Sequence, residues 1–246
     1  MTDLVVRRLL IDLETPIQRH WHGGDAFRSA YLGALSMSFP VGEQFFIDSV
    51  RAGLKALPLA QQAQHEAEVQ GFVGQEATHR RIHALFNGHL ERLGYRNHWA
   101  ERALRRIDRL AHLNVRHHLA ATAAYEHFTA ILAEYLLARP EQLAGAEPRL
   151  QTLWLWHAAE ESEHKSTAFD LYRALRGDHR WRMRWFRIAT LYFIVDSMRQ
   201  TADNLRRDGQ LWKWRTWRSG LGFFFGRGGL VRSCDPAAVA GSPTAC

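Results

Sequence analysis

From about residue 38 onward, apolar positions recur at steps of three and four, the period of a helix with one buried face. The first stripe takes in Phe39, Phe46, Ile47, Val50 and Leu54 and ends near Pro58. A second runs from about Gln62 to Leu93 and stops at Gly94, a residue suited to the left-handed turn past a helix end. A third opens after Asn97, a good N-cap, and runs to Arg139 before Pro140, with a break expected near residues 112–114. A fourth begins at Pro148, which suits a first helical turn, and continues to Gly177; a fifth covers roughly residues 179–204. No period-two run of strand length occurs. The pattern predicts an all-α fold, a helical bundle over residues 38–204. Residues 1–37, punctuated by Pro16, Gly23, Gly24 and Gly33, are expected to form an irregular arm. Residues 205–232 read as a basic Trp-rich segment with additional helix, and residues 233–246 as a disordered Ala/Ser/Pro tail.

The informative feature is a set of polar residues inside the apolar stripes. The fourth stripe reads Leu150, Leu153, Trp154, His157, Glu161, His164, Ala168, Leu171, all on one helical face. The second reads Val69, Phe72, Val73, Glu76, His79, His83, Phe86, Leu90. Glu43 sits amid Phe39, Phe46 and Ile47, and Glu126 amid Leu119, Ala123, Ala130 and Ala133. An isolated carboxylate in an apolar interior costs several kcal/mol after relaxation, so it must be paired, protonated or bound to a metal. Four such glutamates cannot satisfy one another, whereas a pair of divalent cations can. Glu, Glu-x-x-His, Glu, Glu-x-x-His is the ligand set of two-metal carboxylate bundles. Here it is Glu43; Glu76 with His79; Glu126; Glu161 with His164. One Glu-x-x-His alone is weak, but Glu43 precedes Glu76 by 33 residues and Glu126 precedes Glu161 by 35, as in two tandem helix pairs. His83 and His157 each lie one turn outside a motif, either as further ligands or as residues holding a ligand from behind. Glu160 and Glu163 fall off the stripe and are expected in solvent or behind a ligand. Extra imidazoles suit iron, with manganese or zinc as alternatives.

Composition narrows the setting. The two cysteines, Cys234 and Cys246, both lie at the end, so neither a disulfide framework nor a cysteine metal site is expected. Charges interrupt the first residues, MTDLVVRRLLIDLE, which argues against a signal peptide. The longest apolar run, residues 188–195, falls far short of the roughly 20 residues of a spanning helix. A cytoplasmic protein is expected. The net charge of +7 is concentrated late: residues 179–232 hold 12 Lys/Arg against 3 Asp/Glu, and five of the nine tryptophans. Trp and Phe beside Lys/Arg suit peripheral contact with an anionic membrane, against the plainer reading that these rings pack on the bundle. No nucleic-acid module accompanies the charge.

FPVGEQFF, GQEATHRRIHALFN, TAAYEHFTAILAEYL and LWLWHAAEESEHKSTAFDLY together resemble a bacterial family described as predicted metal-dependent hydrolases, with ferritin-like character. The resemblance spans roughly residues 27–232, and the closing DPAAVAGSPTAC departs from it. His-x-x-x-Glu-x-x-His at 157–164 is also similar to the di-iron oxygenases of aryl amines, which implies metal binding by His157. Chemistry at a buried carboxylate-rich site favours oxygen activation on a small apolar organic substrate. The family resemblance implies hydrolysis, with two ions ionising water and polarising a carbonyl or phosphoryl oxygen. A non-enzymatic metal-binding bundle is the third alternative, and a homo-oligomer is allowed by all three.

Overall fold

The computed structural model describes residues 4–233, and these form an all-α bundle. Helix α1 (Ala26–Lys55) is followed by α2 (Leu59–Arg92), α3 (His98–Leu110) and α4 (Val115–Ala138). A single 3-10 turn (Pro140–Leu143) leads to α5 (Pro148–His164), α6 (Thr167–Ala174), α7 (His179–Arg207), α8 (Trp214–Phe225) and α9 (Leu230–Ser233). The tail and both cysteines, at 234–246, lie outside the described residues.

Sequence signals account for several boundaries. Asn97 and Asn114 accept hydrogen bonds from the first-turn amides of Ala100 and Arg116, so they start α3 and α4 and divide the third stripe where a break was expected. Two expectations are corrected. The arm does not reach residue 37: Asp25 accepts from the Arg28 amide and starts α1 at Ala26. Gly33, read as punctuation, lies inside that helix and faces Leu90 across a close interface. The fourth stripe is also not one helix. It breaks after His164 with neither Gly nor Pro to mark the place, and α6 turns Ala168, Leu171 and Tyr172 onto a separate patch of α1, α2 and α4.

The core has two parts. One gathers Phe27, Leu32, Phe86, Leu136 and Trp154; the other gathers Phe46, Val50, Phe72, Leu119 and Leu171. On each of α1, α2 and α4 the in-stripe glutamate falls between the two parts, which places the polar residues at mid-bundle. The remaining arm runs over α2 without helix. Gly71 and Gly74 make that possible, because a Cβ at either position would stand 2.5 Å from the side chain of Leu4 or Val6. The basic end is divided. Phe223 is buried and Trp217 and Phe224 pack on Phe27, whereas Trp212, Trp214 and Phe225 are exposed. Among the described residues no helix is long and apolar enough to cross a membrane.

Candidate metal centre

Glu43 comes from α1, Glu76 and His79 from α2, Glu126 from α4, and His157, Glu161 and His164 from α5; all seven side chains are buried. Their donor atoms fall into two groups. Glu43, His79 and His157 form one, and Glu76, Glu126, Glu161 and His164 the other, with the donor atoms of each within 4.8 Å of one another. The grouping crosses the motifs: His79 leaves Glu76 and joins residues of α1 and α5. Glu161 stands between the groups. Its Oε1 lies 3.3 Å from His79 Nδ1, 3.4 Å from His157 Nε2 and 3.5 Å from His164 Nε2.

Hydrogen bonds on the far side of each ring decide which nitrogen faces inward. His79 Nε2 is 2.9 Å from Glu160 Oε2, an acceptor, so Nε2 carries the proton and Nδ1 is bare. His164 Nδ1 is 2.8 Å from Gln75 Oε1, while the Gln75 amide nitrogen donates to the Val5 carbonyl and to Glu163; Nδ1 therefore carries a proton, and in the neutral ring His164 Nε2 is bare. Ser36 donates to Asn87 Oδ1, so it accepts from His83 Nδ1, and His83 Nε2 in turn accepts from His157 Nδ1 at 3.1 Å. His157 Nε2 is then bare as well. Three imidazole lone pairs thus point at four carboxylates. Among the described residues, the inward oxygens of Glu43, Glu76 and Glu126, Glu161 Oε2 and the three inward imidazole nitrogens have no hydrogen-bond partner. Buried polar atoms are nearly always paired, and this donor set is satisfied by cations.

The electrostatics of the metal-free site follow from that crowding. Burial, then the charges of neighbouring carboxylates, pushes Glu43 and Glu126 well above the ordinary carboxyl range; Glu76 rises for the same reasons. Burial acts to raise Glu161, but the charges and hydrogen bonds of His164, His79 and His157 together outweigh it and hold Glu161 well below its usual value. Conversely, burial opposes a charged His164, and Glu161, Glu76 and Glu126 together override it and raise the imidazole well above normal. Burial takes His157 down to about 3. The second proton of a charged His164 sits on Nε2, 3.1 Å from Glu76 Oε1, where it performs part of the neutralisation that ions would complete; an ion displaces it and leaves Nε2 bare.

The sequence-derived candidates meet with one division. His157 joins the donor groups, whereas His83 stands behind it. Glu160, expected in solvent or behind a ligand, is buried behind His79; Glu163 is more exposed and reaches Gln75. Four residues gave no signal in the stripes. Arg7 on the arm donates its backbone amide to Glu160 at 2.7 Å and grips Glu163 with both guanidinium nitrogens. Gln75 orients His164. Pro40 inside α1 has no N–H for the Ser36 carbonyl, which accepts instead from Asn87 Nδ2 at 2.9 Å and fixes the end of the His83–His157 chain. Gln75 and Asn87 could have been suspected as amides next to a stripe of candidate ligands; Arg7 and Ser36 could not.

The pattern of the family described as "Predicted metal-dependent hydrolase" matches residues 5–240. The chain belongs to that family. No curated protein and no solved structure matches it. Membership and the paired donor groups agree on divalent-metal binding, and the family description favours hydrolysis over the oxidation expected from the ligand types.

Proposed function

We propose that this member of the family is a two-metal hydrolase acting on an apolar substrate. The observation that carries the reading is the convergence of three bare imidazole nitrogens on four buried carboxylates whose negative charges match two divalent cations. Glu43, His79 and His157 would hold one ion and Glu76, Glu126 and His164 the other, with Glu161 between them, in an arrangement of the ferritin-like kind. Bound ions supply Lewis acidity toward a carbonyl or phosphoryl oxygen and make water acidic enough to ionise near neutral pH. The mixed nitrogen and oxygen donors suit iron, which we take as the resident metal, over manganese and zinc.

The chain's own residues supply positioning and access. Glu160, Gln75 and His83 hold the three imidazoles in fixed tautomers, and such partners typically govern metal affinity by about 10–100-fold. A cavity of about 350 Å³ reaches the site, and Glu43 and Glu161 lie on its wall. Its apolar surroundings hold an apolar substrate against those carboxylates and keep bulk water away.

The apolar cavity also favours a second reading, oxygen activation, because a dry carboxylate-rich site suits oxidation of an apolar substrate. The experiment that separates them is p-nitrophenyl octanoate cleavage by metal-reconstituted protein with and without oxygen. Hydrolysis predicts metal-dependent release of nitrophenol that is unchanged anaerobically and lost in Glu126→Ala. Oxygen consumption by the ferrous protein, with no anaerobic cleavage in any metal form, establishes oxidation instead.

A further inference from the structure

We infer that the substrate is an anionic amphiphile: an apolar body lying in the cavity, with a carboxylate or phosphate held at its mouth by Arg109. The inference deepens the two-metal reading and rests on it for which end of the molecule reacts: the end beside Glu43 and Glu161 carries the ester or amide bond to be hydrolysed, and the anionic head at Arg109 only anchors the molecule.

The cavity runs between α1, α3, α4 and α7. At its inner end are Glu43 and Glu161, and its walls include Phe46, Trp99, Ile107, Ile188, Ala189 and Phe193. Most of the polar side chains along it are already engaged, the Tyr125 hydroxyl excepted. Ser38 and Thr129 donate their hydroxyls to carbonyls of their own helices, Leu35 and Glu126. Arg106 pairs with buried Asp196 and lies 4.5 Å over the Tyr192 ring. A ligand body therefore meets a surface that offers it contact and little hydrogen bonding. Burial of apolar area must supply its affinity, at about 0.8 kcal/mol or roughly fourfold per CH₂. A volume of about 350 Å³ is at the small end of ligand sites, so a medium-length chain or a compact ring system fills it.

The outer end differs. Arg109, on the last turn of α3, is exposed, lines the cavity and forms no ion pair among the described residues. The other exposed wall residue is Tyr192 on α7, so the cavity reaches the surface at α3 and α7, with Arg109 as a cation there that pairs with nothing among the described residues. Arginine supplies a planar fork of donors matched to carboxylate and phosphate. An apolar body with an anionic head uses both features; a neutral or cationic head leaves the guanidinium without a partner.

The test measures binding, by calorimetry on the full chain with metal content determined in parallel, so that it is independent of turnover. Octanoate, decanoate and dodecanoate, all below micelle concentration, should gain about fourfold per CH₂ until the cavity is filled. Decanoate should bind several-fold more tightly than decanol and more tightly still than decyltrimethylammonium. Arg109→Gln should bring decanoate down to the decanol value and leave decanol unchanged. Ala189→Leu, or Ala103→Leu on the α3 wall if the first variant melts early, should weaken all three. Equal affinity for the three heads, or equal loss of decanol and decanoate in Arg109→Gln, overturns the assignment. Sedimentation with phosphatidic acid vesicles identifies the source. Vesicle binding lost in the same variants assigns a lipid headgroup; decanoate binding without vesicle binding assigns a free carboxylate; vesicle binding that survives both variants, without decanoate binding, refutes the inference. Protein that takes up two ions but none of the chains removes this inference and leaves the two-metal reading; protein that binds decanoate but no metal does the reverse.

Discussion

Removing the Glu160 carboxylate tests the geometry behind the metal centre most directly. Glu160 is fully buried, accepts from His79 Nε2 at 2.9 Å and from the Arg7 amide at 2.7 Å, and has the Arg7 guanidinium 3.7 Å away. In Glu160→Ala the His79 N–H loses a charge-assisted bond worth about 1.5–3 kcal/mol and is left buried without a partner. The ring is then free to rotate or to carry its proton on Nδ1, the nitrogen that faces Glu43 and His157. The expected result is a 10–100-fold loss of metal affinity, equivalent to about 1.4–2.7 kcal/mol. Glu160→Gln keeps an oxygen for the imidazole but turns an amide N–H toward the Arg7 amide, so its loss should be intermediate. Glu163→Ala removes a pair that is one-third exposed or more at both ends, worth ~1 kcal/mol or less, and should leave the site occupied. Competition with a calibrated chelator, followed by elemental analysis, reads all three. An affinity for Glu160→Ala within twofold of the unmodified protein, or a Gln variant weaker than the Ala variant, would refute the argument that this carboxylate sets the His79 tautomer.

Elemental analysis of protein made in iron-replete medium should find about two ions per chain, and Glu126→Ala or Glu161→Ala should empty the site; one ion or none in folded protein defeats the two-metal reading. His157→Ala should change metal affinity far more than His127→Ala, because His157 Nε2 lies in a donor group while His127 is exposed; equal behaviour in the chelator assay removes His157 from the site. Glu43 and Glu126 have raised values in the folded metal-free protein, so their contribution to stability is full below the unfolded carboxyl value and is lost as pH rises through the folded value. Metal binding displaces those protons, so the Tm increment on adding metal should shrink as pH falls from 8 to 6; a constant increment contradicts the protonation scheme. Gly71→Ala puts a methyl 2.5 Å from Leu4 and should lift the arm, weakening metal binding several-fold and exposing the arm to limited proteolysis; an arm that stays protected argues against the Arg7 tether.

By itself the sequence determined the class of fold and nominated six candidate donors, Glu43, Glu76, His79, Glu126, Glu161 and His164, while leaving His83 and His157 open. Helical periodicity is local, since every third or fourth side chain shares a face whatever the partner helix does. A glutamate or histidine inside such a stripe therefore declares its burial before any contact is known, as Glu43, Glu126 and the two Glu-x-x-His motifs do. The caps at Asn97 and Asn114 are local too. Tertiary structure decided which donors group together. Joining His79 to Glu43 and His157 rather than to Glu76 depends on how α2 faces α1 and α5, a matter of helix rotation that no spacing encodes. The same holds for the residues behind the ligands. Arg7 reaches Glu160 only because Gly71 and Gly74 let an irregular arm lie against α2, a contact between segments more than 150 residues apart. The break after His164 carries no Gly or Pro, and comes with the docking of α6 on α1, α2 and α4. The cavity beside the site is likewise a gap between α1, α3, α4 and α7, and a gap has no sequence of its own.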